Sequence, residues 1–202
     1  MPSPQTRRQL LASSARAAAG GVAGAAGAAL LAPASAQAQT GSEADRLHRL
    51  LSLELLVLYC YEYVLASTVL SPQARPAMVP LAAHEHAHVN AISVRLRALG
   101  GSLPAPPISV AAANRDLIHR QVSERLGELQ SSGDALRLLL AIERVATGAY
   151  FVALTKLADP QLIRLGAQIM ASEAQHQAVI ADLLDRGNGA QAAPYGLVQG
   201  IQ

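Results

Sequence analysis

The sequence predicts an all-α protein: an antiparallel four-helix bundle built from two helical hairpins, with a long crossover between them carrying an extra helix. Three observations predict it. Hydrophobic residues make up 51% of the chain and aromatics only 3%. The apolar content is mostly Ala, Leu and Val, and Ala and Leu lead the helix scale, while aromatic residues favour strands. Two Glu-x-x-His pairs, Glu85/His88 and Glu173/His176, each follow a lone glutamate, Glu54 and Glu143, by about thirty residues. A turn signal lies midway between each lone glutamate and its pair.

Each element follows in order. Ser42 with Asp45 forms a loose capping box, and an apolar-rich helix is expected from about Glu43 to Leu70. Ser71-Pro72 marks a turn and a new helix start, serine as cap and proline at the first helical position. Pro76 and Pro80 interrupt the next turns, because a proline lacks the N–H of the helical ladder. Regular helix should therefore begin near Val79 or be kinked at first. It should end at Leu99, before Gly100-Gly101. Residues 100–110 read as an irregular linker. Residues 111–130 read as the extra helix, with Leu117, Val122, Leu126 and Leu129 as its apolar points. Ser131-Ser132-Gly133-Asp134 breaks it. A strong helix should then run from Asp134 or Ala135 to Ala158, and a last one from Asp159-Pro160 to about Arg186, closed by Gly187-Asn188-Gly189.

The N-terminus belongs to none of these. Thr6-Arg7-Arg8-Gln9-Leu10-Leu11 leads into a weakly hydrophobic Ala/Gly stretch to about Leu31, then to the small-x-small residues Ala34, Ala36 and Ala38. That is the pattern of an export signal, and the adjacent arginines resemble a twin-arginine signal. Residues 1–38 are read as this signal, 39–189 as the bundle and 190–202 as a mobile tail. The expected location is periplasmic or extracellular, with the twin-arginine export machinery as a partner. Such signals serve proteins that fold, and often load a cofactor, before export.

Charge and cysteine usage exclude other classes. The pI of about 9.0 suggests a nucleic-acid partner only superficially. Arg7, Arg8 and Arg16 lie in the first 38 residues among no acids, and setting them aside turns the formal charge from +2 to −1. The other arginines are interspersed with acids, so no basic stripe exists for nucleic acid. The Ala/Gly stretch falls short of a permanent membrane span. The single cysteine, Cys60, excludes an intrachain disulfide and any Cys-x-x-Cys metal or redox motif. It reads as a small buried apolar residue.

The two hairpins repeat one another. Each lone glutamate is matched at an offset of 88 or 89 residues, as are each Glu-x-x-His pair and two tyrosines, Tyr61 and Tyr150. The tyrosines follow Glu54 and Glu143 by about two helical turns and so share their faces. In an antiparallel hairpin, residues equidistant from the turn lie at one level. The six polar residues therefore fall at a single height, two of them on adjacent turns of one face in each pair. Four carboxylates and two imidazoles from four helices are what a dinuclear metal site inside a bundle needs. Iron or manganese accepts both donor types. On the order of 0.2 Glu-x-x-His pairs would arise by chance in such a composition.

The pattern resembles the ferritin-like superfamily, which includes ferritins, rubrerythrins and manganese catalases, over residues 43–186. The resemblance implies that Glu54, Glu85, His88, Glu143, Glu173 and His176 are metal ligands, and that Tyr61 and Tyr150 correspond to tyrosines just behind such ligands, the candidate catalytic residues. It implies two iron ions, alternatively manganese or a mixed pair, and redox chemistry toward Fe(II), dioxygen or peroxide. The chain departs from ferritin in its two-fold ligand set and the lack of a fifth helix after the bundle, which argues against a storage cage. It departs from rubrerythrin in lacking the cysteines of a rubredoxin module. A homodimer is compatible with it, and the sequence sets no oligomeric state.

Other polar residues lack a repeat partner. His84 lies one turn before His88, near enough to the site to act behind a ligand or as an alternative one, and Ser172 stands at the matching position. His86, His48 and His119 read as surface residues. Glu62 reads as part of a polar face, since Phe151 stands at its matching position. The rival function is a non-catalytic binding or structural module of the cell envelope, its metal structural or absent.

Overall fold

The computed structural model describes residues 34–186, with side chains from Glu43 onward. Among the described residues, five helices run in the order α1 (Ala34–Ala66), α2 (Arg75–Ala98), α3 (Val110–His119), α4 (Ser132–Leu154) and α5 (Pro160–Leu184). Among the described residues there are no strands, and no helix is long and apolar enough to cross a membrane. Residues 1–33 of the expected signal, the expected Gly187-Asn188-Gly189 stop and the expected tail from Ala190 lie outside the described residues, while 34–38 belong to α1.

Helices α1, α2, α4 and α5 form the bundle, and α3 rides on the crossover. The hairpin ends show how the halves are joined. Glu43, in the third turn of α1, accepts the backbone N–H groups of Ala158 (2.8 Å) and Asp159 (2.9 Å) in the α4–α5 turn. This turn of α1 therefore meets the turn of the other hairpin, and the two hairpins pack head to tail. The crossover, residues 99–131, must then span the length of the bundle. The apolar core is split accordingly. One half gathers Leu56, Val57, Val64, Met78, Leu138, Leu139 and Ile180 with Leu117 and Leu126 of the crossover. The other gathers Leu47, Leu51, Ile92, Leu96, Leu162 and Ile169.

Several element ends differ from expectation, each for a physical reason. Helix α1 does not start at a Ser42 cap, because Ser42 lies within it. It stops at Ala66 rather than Leu70. There the Arg75 guanidinium donates to the carbonyls of Leu65 (2.6 Å) and Ser67 (2.5 Å), taking over acceptors at the end of the helix. Ser71 does cap a turn, its Oγ accepting from Ala74 N at 3.2 Å, but helix α2 proper begins at Arg75, with Pro76 in its first turn. It runs through Pro80, and both prolines are exposed, so the carbonyl that Pro80 leaves without a donor is on the wet side. The helix ends as expected at the double glycine. Gly100 (φ +74°) donates to Arg97 O and Gly101 to Leu96 O, each 2.9 Å, the paired bonds of a Schellman ending.

The extra helix is half its expected length. Ser109 caps it through Ala112 N (3.2 Å). It ends at His119 in a second Schellman ending, this one with Gln121 in the left-handed region (φ 61°), where Gln121 N bonds Ile118 O and Val122 N bonds Leu117 O. The Asn114 amide then clips the Leu126 backbone at both N and O, each 2.9 Å. Leu117, Val122 and Leu126 are buried as the pattern required, the last two from irregular chain. Helix α4 starts two residues early under a Ser131 cap that accepts from Asp134 N (3.1 Å). It ends at Leu154 rather than Ala158: the N–H groups of Lys156 and Leu157 both close on Ala153 O, and those of Ala158 and Asp159 go to Glu43. Asp159 caps α5 through Gln161 N (2.7 Å), with Pro160 following as expected.

Candidate metal centre

Between the two halves of the core lies a polar layer. Helix α1 brings Glu54 to it, α2 Glu85 and His88, α4 Glu143, and α5 Glu173 and His176. All four carboxylates are fully buried (0% exposed), and the imidazoles nearly so. The six residues sort into two overlapping groups whose ligand atoms all lie within 4.8 Å of one another: Glu54, Glu85, His88 and Glu173, and Glu85, Glu143, Glu173 and His176. Glu85 and Glu173 belong to both groups, while each group has its own lone glutamate and histidine.

The atoms repeat that division. The Nδ1 of His88 faces Glu173 Oε1 (3.1 Å), Glu85 Oε2 (3.4 Å) and Glu54 Oε2 (3.7 Å). The Nδ1 of His176 faces Glu85 Oε1 (2.9 Å), Glu143 Oε1 (3.2 Å) and Glu173 Oε2 (3.3 Å). Glu85 and Glu173 thus each turn one oxygen toward either imidazole, the disposition of carboxylates that can bridge two cations.

The two tyrosines cross between hairpins. Tyr61 of the first donates to Glu143 Oε1 of the second (2.5 Å), and Tyr150 of the second donates to Glu54 Oε1 of the first. Both rings are buried. Gly166 lets α5 approach α4 here, since a Cβ in its place would stand 3.1 Å from Leu154 and 3.7 Å from the Tyr150 ring. Each lone glutamate so has one oxygen held by a phenol, while the other, Oε2, has no partner. Seven buried polar atoms of the layer lack a hydrogen-bond partner among the described residues: Glu54 Oε2, both oxygens of Glu85 and of Glu173, His88 Nδ1 and Glu143 Oε2. Buried polar atoms are almost always satisfied, so this cluster of orphans fits divalent cations of the oxygen- and nitrogen-accepting kind.

Electrostatics agree. Burial, aided by the neighbouring Glu173 and Glu85 charges, pushes the Glu54 carboxyl up to about 8. Burial and Glu173 likewise hold Glu143 well above the ordinary carboxylate range. Burial works against charge on the imidazoles, yet their carboxylate partners outweigh it and raise His88 to about 12 and His176 to about 11. Glu173 is pushed the other way: burial opposes its charge, but its close approach to Glu143 and to both imidazoles holds it well below the ordinary range. Burial and the Glu143 and Glu54 charges keep both phenols protonated well above their usual value. Without cations, the layer compensates four crowded carboxylates by gathering protons.

His84 lies near the site as expected, but beside His176 rather than His88, and several other participants were not assigned in the sequence. His84 is exposed at the edge, and its Nδ1 lies 3.0 Å from His176 Nε2, with Ser172 Oγ 3.3 Å from the same nitrogen. Thr147 and Gln177 secure the backbone carbonyl of Glu143, at 3.0 and 3.3 Å. Glu43 carried no spacing signal. His48 is more than a surface residue, since its Nδ1 pairs with Ser102 O (2.9 Å) and ties the crossover to α1. Glu62 and His86 lie on the surface as expected, paired with each other at 3.3 Å. Cys60 is buried in the core as expected.

No curated protein matches the chain. A family model does, over residues 42–186, described as a ferritin-like domain. That span runs from the first turns of α1 to just beyond the end of α5 and takes in both hairpins and all six residues of the polar layer, and the chain belongs to the ferritin-like domain family.

Proposed function

We propose that this protein is exported and carries a dinuclear metal centre, iron first and manganese or a mixed pair otherwise, that acts on Fe(II), dioxygen or peroxide. The observation that carries the reading is the pair of overlapping ligand groups sharing Glu85 and Glu173, with seven partnerless buried atoms turned into them. Glu54 with His88 would hold one ion, Glu143 with His176 the other, and Glu85 with Glu173 both. Bound there, the ions would supply electrons and Lewis acidity. The protein's own part is to hold that set dry and in register. Four carboxylates balance two divalent charges, so the loaded layer is neutral and its burial ceases to be costly. Tyr61 and Tyr150 keep their protons and fix one oxygen of each lone glutamate, leaving Oε2 for the ion. The apolar core on either side of the layer keeps its four carboxylates buried.

Export rests on the Arg7-Arg8 pair, the Ala/Gly stretch and the small residues at 34, 36 and 38. Fractionation of cells expressing the whole chain should place it outside the cytoplasm, and Arg7→Lys with Arg8→Lys should retain it there.

The decisive test is elemental analysis of protein purified after native export. About two ions per chain are expected, with Glu54→Ala and Glu143→Ala together abolishing them while the helical circular dichroism stays unchanged. Mixing the metal-free protein with Fe(II), then oxygen or peroxide, should give an oxidation rate above that of the double variant. Equal metal content in the two proteins would overturn the centre. Metal retained without an enhanced rate would overturn the redox activity and leave sequestration.

A further inference from the structure

The two metal positions are related by the hairpin repeat, yet their surroundings break it at one place. His84 and Ser172 occupy matching positions, 88 residues apart and each one turn before its histidine. If the repeat held, His84 would serve one imidazole and Ser172 the other. Instead both converge on His176. His84 Nδ1 lies 3.0 Å from His176 Nε2, and Ser172 Oγ lies 3.3 Å from it. The His84 and His176 rings are 14° from coplanar with centroids 5.3 Å apart, the spacing of rings joined edge to edge through that bond. No hydrogen bond reaches the outer nitrogen of His88 among the described residues.

We propose that His84, seconded by Ser172, is a positioning residue that makes the Glu143–His176 position the tighter of the two, so that the centre fills in order. The inference rests on the dinuclear reading above. The chemistry is that of tautomer and orientation. The Nδ1 of His176 faces the carboxylates, so the ring that binds an ion there carries its proton on Nε2. That N–H donates to His84 Nδ1, which fixes the ring plane and makes Nδ1 a better donor to the cation. His88 has the same Nδ1 arrangement without a backing partner, and its ring is also the more exposed, 8% against 2%. An outer partner of a ligating histidine is worth roughly 10- to 100-fold in metal affinity.

The test is an anaerobic titration of the purified full-length protein with Co(II), followed by calorimetry and by the visible absorption of the bound ion. The wild type should bind two ions in two resolved steps. His84→Ala should weaken the first step by roughly 10-fold to 100-fold, drawing the steps together, while leaving the second unchanged. His84→Asn, whose side-chain oxygen can accept the same proton, should restore part of the separation. His176→Ala should abolish the tight step, and adding His84→Ala to it should change nothing more, as required of a residue acting through His176. His84 is exposed, so its variants should melt with the wild type when metal-free. A His84→Ala titration superimposing on that of the wild type, or an equal loss in the His176→Ala background, would overturn the proposal and leave the dinuclear centre standing. A wild type that binds no Co(II) would overturn both.

Discussion

At the scale of single residues, burial has been spent on charge. Four carboxylates with no exposed surface would weaken an ordinary core, because an ionised group removed from water costs several kcal/mol even after relaxation. The sequence made these residues legible for that reason: glutamates and histidines inside apolar helical runs make sense only if something compensates them, and the repeat placed all six at one height. What spacing did not reveal is who holds them. Tyr61 and Tyr150 share a face with their own glutamates, yet each donates to the glutamate of the other hairpin, because the hairpins lie head to tail. The two phenols should therefore act on different ions. Tyr150→Phe keeps the ring packing, removes the bond to Glu54, and should loosen the Glu54–His88 position by about 10-fold, equivalent to about 1.4 kcal/mol. Tyr61→Phe should do the same at the Glu143–His176 position. In a Co(II) titration the first variant should lower the weaker step and the second the tighter one. Two variants that shift the same step would contradict the crossed arrangement.

At the scale of elements, the helices were legible and only some of their ends were. Proline at the start of α5 and glycine after α2 act locally, so the sequence shows them. The ends that moved are set by groups distant in sequence or by a backbone conformation with no residue signature. Arg75 terminates α1 from the next helix, and Gln121 adopts a left-handed conformation that glycine would have advertised. Glu43 fixes the α4–α5 turn from more than a hundred residues away. Glu43 is also one tie between the hairpins, almost fully buried (6% exposed) and accepting two N–H groups just ahead of α5, where the helix dipole favours a negative charge. Hydrogen bonds to a charged acceptor contribute about 1.5–3 kcal/mol each when both groups are shielded. The Ala158 and Asp159 amides can partly recover water, so Glu43→Ala should cost about 2 kcal/mol in all. In a bundle of this size that is a fall of about 4–8 °C in melting temperature. Glu43→Gln, which keeps one acceptor oxygen, should lose about half as much. Scanning calorimetry of the metal-free proteins checks both, and an Ala variant that melts with the wild type would remove Glu43 from the joint between hairpins.

At the scale of the whole molecule, the fold and its polar layer make opposite demands, and pH exposes the conflict. Consider the protein stripped of metal. Burial raises Glu54 from 4.5 in an open chain to about 8 in the bundle, so between those values the folded state holds a proton that the unfolded state has released. Stability then falls as pH rises. His88 and His176 act in the same sense: their open-chain value is 6.5, the bundle keeps them protonated toward about 12 and 11, and their contribution, complete below 6.5, drains away as pH climbs through those values. Glu173 opposes them only on the acid side, where its lowered value makes stability fall as pH drops below 4.5. The chelated protein should therefore be most stable near pH 4.5 and melt lower at pH 8 than at pH 5.5. Metal should invert that order. Ligands must shed those same protons before they can bind cations, so affinity rises with pH, and metal-bound protein gains stability from the binding. With excess Co(II), the protein should melt higher at pH 8 than at pH 5.5. Glu54→Gln removes one of the titrating groups while keeping its volume and an acceptor for Tyr150. In the chelated state it should flatten the decline between pH 4.5 and 8, and with Co(II) it should lose much of the gain. Melting curves at the two pH values, with chelator and with metal, read the inversion directly; parallel curves in both conditions would mean that the buried carboxylates and imidazoles do not exchange protons for cations.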